Sequence, residues 1–178
     1  VTYIAAIDGT GFSRRNPSYH YLKRIDGKMP KIPVKLSVLV DTRRKKFIDA
    51  KIRVLPAHDI KDAKDLVKNN EFSKLVADKA YDANWLHILC AEKGIEAHIP
   101  IREYGKVKHQ NLSKRRLAQK HFRKKTYYRR ELVEALFHAL KTTMGGYTFN
   151  RKVKTIRAEM YCRLIAYNIF FYFMGLSG

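Results

Sequence analysis

Cysteine is nearly missing from this chain: Cys90 and Cys162 are the only two in 178 residues. They show no metal-type spacing, and both sit in helix-like apolar patterns. They read as reduced core thiols of a cytosolic protein. Long hydrophobic runs are lacking too. The most apolar stretch, residues 164–176, is interrupted by Asn168 and follows Arg157, Glu159 and Arg163 on the same helical pattern. It falls short of the roughly 20 residues a bilayer demands, so it reads as a core helix. No signal peptide is visible, because Val1 to Asp8 has a strand pattern. A chain opening with Val inside a strand reads as a piece of a longer protein. No internal repeat is apparent. Acidic residues are scarce, 16 against 37 Lys and Arg, which leaves a net charge of +21. Such a chain repels itself unless a polyanion is its usual partner. Nucleic acid is the leading candidate, ahead of an acidic membrane surface.

What is present is enough apolar material for one core: 46% of residues are hydrophobic. Residues 3–8 predict a buried strand closed by the turn Gly9-Thr10-Gly11. Residues 13–33 form a basic arm. Residues 34–41 and 46–55 predict an antiparallel hairpin. A helix follows to about Asn69, with Asp59 as N-cap. Lys74 to Ala77 predicts a fourth strand ending at Asp78. Asp82 or Asn84 caps the next helix, which Gly94 stops. Residues 95–101 predict a fifth strand, parallel to the fourth because a helix links them. Residues 102–126 form a strongly basic insertion with little buried pattern. A long helix then runs from about Tyr127 to Thr143, stopped by Gly145-Gly146, and a last one covers about residues 155–174. Three antiparallel strands followed by βαβ units make a five-stranded mixed sheet with helices on both faces. That is the order of the RNase H-like α/β fold, here as a single domain over residues 1–178.

Asp8 and Asp78 each close a strand, where ligands of open α/β sheets gather. In this order the first and fourth strands are neighbours, so the two carboxylates can share a metal. Taken singly, either is a common turn or cap residue. Tyr127, Arg130, Glu134 and Lys141 follow one another at spacings of three, four and seven. On a helix they fall within about 60° of one another, with His138 on the same stripe. Leu132, Val133, Leu136 and Leu140 gather opposite. A solvated face with an ordinary i,i+4 pair between Arg130 and Glu134 is the plainer reading of that stripe. Lys114-Arg115-Arg116 and Arg123-Lys124-Lys125 are the densest charge runs.

Taken together, these blocks resemble the catalytic domain of the DDE transposases of bacterial and archaeal insertion sequences. Residues 6–12 resemble the segment bearing that family's first acid, and residues 77–82 the segment bearing the second. Residues 35–41 through 56–59 resemble its strand pair and helix start. Tyr127, Arg130, Glu134 and Lys141 match the Tyr-Arg-Glu-Lys signature around the third acid at every spacing. Ala80 stands where many relatives place Gly. No helical end-recognition region precedes Asp8, and the stretch before Glu134 is too short for the β insertion of some relatives.

The resemblance implies DNA cleavage at transposon ends and strand transfer into target DNA. It implies two Mg²⁺ or Mn²⁺ ions held by the catalytic Asp8, Asp78 and Glu134, with Asp8 bridging. Arg130 and Lys141 would hold phosphates, and Lys141 would position terminal nucleotides. Tyr127 would either contact a flanking nucleotide or pack on the sheet. Lys79, Arg123, Lys124 and Lys125 would touch DNA, as would the basic arm and insertion. The partner is double-stranded DNA, without a membrane, and the protein would be a dimer on DNA in a prokaryotic cytoplasm, at the nucleoid when acting. A hydrolytic nuclease of the same fold, or a catalytically silent transposase-derived DNA-binding protein, are the competing readings.

Overall fold

A computed structural model describes residues 3–14, 23–24, 33–54, 57–102 and 113–175. Its centre is a mixed sheet in the order β3-β2-β1-β4-β5. The first three strands are β1 (Ile4–Arg14), β2 (Val34–Asp41) and β3 (Lys46–Arg53), which form an antiparallel meander. β4 (Lys74–Ala77) and β5 (Glu96–His98) then add parallel to β1. A sixth strand, β6 (Tyr147–Thr148), pairs with Ser13 and Arg14 at the far end of β1. The helices are α1 (Ile60–Lys68), α2 (Asn84–Glu92), α3 (Ser113–His121), α4 (Lys124–Tyr127), α5 (Glu131–Met144) and α6 (Val153–Phe173).

Strand side chains alternate between faces, and the central strands are apolar on both, so the sheet carries two cores. On one face Ala6, Val38 and Val40 pack with Leu136 and Leu140 of α5 and with Ile156, Met160 and Leu164 of α6. On the other, Ala5, Ile7, Leu39 and Leu75 pack with Ala63, Leu66 and Val67 of α1 and with Leu86 and Cys90 of α2. Each large side chain buried this way contributes roughly 1.5–3 kcal/mol. Ala5 and Ala6 are fully buried where β1 runs beneath both layers.

Several sequence expectations are corrected. β1 does not turn at Gly9-Thr10-Gly11: its ladder to β2 continues through Gly9↔Ser37, Gly11↔Lys35 and Phe12↔Val34. β5 is shorter than residues 95–101. The helix expected from Tyr127 is preceded by α4 and a 3-10 turn, Tyr128–Arg130, before α5 begins. It stops where Gly145 takes φ +88°, a conformation that favours glycine. Part of the basic insertion is helical, as α3 and α4; residues 103–112 lie outside the description, as does most of the arm 13–33. Asp59 sits at the start of α1 in helical conformation and makes no side-chain capping bond. Neither Asp82 nor Asn84 caps α2; Ala83 holds that position.

The last helix buries only one face. Ile165, Ile169, Phe170, Tyr172 and Phe173 are exposed, as is Cys162, so Cys162 is no core thiol. Cys90 is buried, and burial pushes its thiol up to about 12, which keeps it protonated and inert. Among the described residues no helix is long and apolar enough to cross a membrane.

Candidate active site

The parallel ladder between β1 and β4 ends at Ile7↔Ala77. The next residue on each strand is an aspartate, so Asp8 and Asp78 leave the ladder side by side. Adjacent strands lie about 4.8 Å apart. β4 stops there, and Asp78 stays extended (φ −67°, ψ 161°) before the 3-10 turn Lys79–Tyr81. β1 continues along β2, so Asp8 sits in mid-strand at the point where its neighbour is lost. Its Oδ1 accepts a 2.8 Å hydrogen bond from the Gly9 amide.

Glu134 reaches the same place from α5. Val133, Leu136, Phe137 and Leu140 are buried and fix the helix on the sheet. The stripe beside that buried face brings Arg130 to Asp8 and Lys141 to Thr10, both on β1. Arg130 Nη1 lies 2.8 Å from Glu134 Oε1 and 3.4 Å from Asp8 Oδ2, so one guanidinium spans both acids. Lys141 Nζ donates to Thr10 Oγ1 at 2.7 Å and lies 5.3 Å from the centre of the Phe12 ring. The Tyr127 ring packs against Phe122 and Tyr128, with the Arg130 guanidinium 6.0 Å from its centre. All four stripe residues thus stand on the side of α4–α5 that faces Asp8 or supports Arg130.

A further acid was not expected here. Asp59 pairs with Lys35, and a Cβ built on Gly9 would stand only 2.6 Å from its Oδ1. A side chain at residue 9 would therefore push the Asp59 carboxylate aside, so glycine here lets Asp59 sit this close to β1. Beside them lies a cleft of about 320 Å³ lined by Gly9, Thr10, Gly11, Pro33, Lys35, Ala57 and Asp59. In sequence, Asp59 reads only as the N-cap of the following helix. Burial raises the Asp8 carboxyl above the usual aspartate range. The Gly9 amide and Arg130 pull it down, while Asp59 and Glu134 add to the rise. The buried Tyr81 hydroxyl has no hydrogen-bond partner among the described residues. Its pKa is raised by burial first, then by Asp59, Asp8, Asp62 and Asp78.

A family model of the transposase DDE domain matches residues 1–169. The chain belongs to the transposase DDE domain family. No curated protein matches the sequence significantly. Among solved structures, the catalytic core domain of BIV integrase is similar with a TM-score of 0.53 and 14% identity, over 92% of this chain and 82% of that one. That likeness establishes the fold of the DDE domain as RNase H-like, and its mixed sheet has six strands where five were expected.

The rest of the DDE domain's basic surface divides into two kinds. Lys79, Arg123, Lys124 and Lys125 are exposed. The start of α4 is seated by a 3.2 Å bond from the Arg123 amide to His98 Nδ1, on a histidine whose pKa is lowered chiefly by its burial. Arg115, by contrast, is only 6% exposed, so the run Lys114-Arg115-Arg116 is not uniformly turned to DNA. Arg115 Nε donates to Asp82 Oδ1 at 2.8 Å and its Nη2 contacts Oδ2. His87 Nε2 lies 3.0 Å from Oδ1, and the Arg102 amide donates to Oδ2 at 2.6 Å.

Burial of Asp82 works against its charge, but the bonds from His87, Arg115 and Arg102 outweigh it and hold the carboxyl at about 2. A depressed carboxylate stabilises the fold above its unfolded pKa and loses that contribution as pH falls through the folded value. Between about pH 4 and pH 2 this group alone should cost roughly 2 kcal/mol. Urea midpoints measured across that window on wild type and Asp82→Asn check it: the wild type should lose more than the variant.

Oxygen donors of the kind offered by Asp8, Asp78 and Glu134 suit a hard divalent cation. Asp8, raised by burial and by two neighbouring acids, is where added positive charge is favoured. Among the described residues no three His, Cys, Asp or Glu side chains already converge on one ion position. Glu134 is paired with Arg130, and its side chain is 59% exposed.

Proposed function

We propose that this DDE domain catalyses metal-dependent cleavage of DNA at transposon ends and transfer of the freed 3′-OH into target DNA. The observation carrying the reading is the β1–β4 register: it delivers Asp8 and Asp78 side by side, and Arg130, just before α5, contacts both Asp8 and Glu134. Asp8 and Asp78 lie on neighbouring strands at one end of the sheet, and Arg130 links Glu134 to Asp8, in a chain of the transposase DDE domain family.

Asp8, Asp78 and Glu134 would hold two Mg²⁺ or Mn²⁺ ions. Bound there, such ions supply charge neutralisation on the phosphoryl oxygens and activation of the attacking oxygen. The protein's own groups position the DNA. Arg130, released from Glu134, offers its guanidinium to a phosphate beside the scissile bond. Lys141, seated on Thr10 and Phe12, presents its ammonium to the neighbouring nucleotide. Tyr127 holds Arg130 from behind by packing with Phe122 and Tyr128. Lys79, Arg123, Lys124 and Lys125 track the phosphate backbone, and synapsis of two ends makes a dimer on DNA. Cytoplasmic location, with the nucleoid as the place of action, follows from that substrate.

Two results test this reading in the full-length protein. Affinity for end DNA should fall on the order of 10³-fold between 50 and 200 mM salt if six or more phosphates are contacted. Nicking at the end should appear with Mg²⁺ and vanish with EDTA. An EDTA-resistant rate, or binding indifferent to salt, contradicts it.

A further inference from the structure

The segment after Asp78 is held by a buried device that the proposed chemistry does not use. Asp82 lies four residues beyond the proposed ligand and its side chain is fully buried. It gathers donors from three elements: His87 on α2, the Arg102 amide after β5, and the Arg115 fork on α3. The fork reaches further, since Arg115 Nη2 also donates to the Arg102 carbonyl at 3.1 Å. Arg102 in turn sends its Nε to the Lys79 carbonyl at 2.7 Å. Inside the turn, the Tyr81 amide donates to Asp78 O at 2.9 Å and the Asp82 amide to Lys79 O at 3.1 Å. Both ends of the turn are therefore tied to the same arginine pair.

Buried charge of this kind is costly unless fully satisfied. Placing it directly behind an acidic strand end fixes backbone that would otherwise end freely, because β4 has no ladder to β1 beyond Ala77. The device also recruits the basic insertion: α3 is fastened to the turn through Arg115, so Lys79 and the exposed bases of α3 are set relative to Asp78.

We propose that Asp82, clasped by Arg115 and Arg102, is a positioning residue that holds Asp78 in its ligating place and couples the basic α3 segment to it. The inference rests on the reading of Asp78 as a metal ligand. Mutation of such supporting partners typically costs 10–100-fold in metal affinity or activity.

The test uses the full-length protein, Asp82→Asn and Arg115→Gln, with Arg115→Lys as the conservative variant. Amide hydrogen exchange at Tyr81 and Asp82 reports the turn, with Ile7 and Leu39 amides as the global reference. Mn²⁺ binding is titrated on the protein alone. We expect exchange at the turn to speed at least tenfold relative to the reference in Asp82→Asn and Arg115→Gln. Mn²⁺ affinity should fall 10–100-fold, with partial recovery in Arg115→Lys. Turn exchange that merely follows the reference overturns the clasp. A loosened turn with unchanged Mn²⁺ affinity overturns its positioning role. If wild type binds no Mn²⁺ while the turn still loosens in the variants, the metal reading of Asp78 fails, the positioning role falls with it, and only the structural clasp survives.

Discussion

Glu134→Gln is expected to lower DNA cleavage on the order of 10³-fold or more while leaving folding and DNA binding nearly unchanged. The size follows from the chemistry: an amide is a far poorer ligand for a hard cation than a carboxylate, and electrostatic stabilisation of the transition state is commonly the largest part of a catalytic effect. The separation from stability follows from position. Glu134 lies in the first turn of α5 with its side chain 59% exposed, outside the core made by Val133, Leu136 and Leu140. Its pair with Arg130 is of the surface i,i+4 kind, worth well under about 1 kcal/mol. Release of Arg130 from Glu134 leaves DNA affinity equal or slightly higher. Single-turnover cleavage, DNA titration and thermal melting of the same preparation check all three parts. A variant that cleaves within tenfold of wild type removes Glu134 from the acid triad.

Asp82→Ala should behave in the opposite way, as a folding lesion first. Removing one member of a buried pair strands the other charge, at a cost of about 3–5 kcal/mol. Here Arg115 would be left buried beside His87, and the Arg102 amide would lose its acceptor. Against a typical domain stability of roughly 5–15 kcal/mol, that is a large share. Urea unfolding should give midpoints that fall in the order wild type, Asp82→Asn, Asp82→Ala. An Asp82→Ala midpoint within experimental error of wild type contradicts the buried network.

These two residues also mark what the sequence could and could not disclose. Glu134 was legible because its partners are local: Tyr127, Arg130 and Lys141 share a helical stripe, and the opposite face is apolar. The stripe survives the 3-10 turn before α5, since Arg130 and Glu134 remain one helical turn apart. Asp78 was legible as a strand end because it follows a short apolar run; Asp8 follows one too, but its strand runs on to Arg14. Asp82 was not, because its partner Arg115 lies 33 residues on, inside a charge run that reads locally as solvated. Gly9-Thr10-Gly11 carries a turn signature, yet the strand continues. The deciding facts are tertiary: β2 offers backbone partners as far as Val34, and the Asp59 carboxylate sits against Gly9 where a side chain would displace it. The composition of the final helix predicts burial, but composition does not say which apolar face finds a partner; Ile156, Met160, Leu164 and Tyr167 do.

Strand joining by the full-length protein on DNA carrying its flanking transposon end tests the central claim most directly. With Mg²⁺ a covalent product is expected in which the end's 3′-OH is linked to target DNA, absent with EDTA and absent in Asp8→Asn. Nicked ends that never join, under conditions where DNA binding is saturated, would contradict transposition and leave a hydrolytic nuclease.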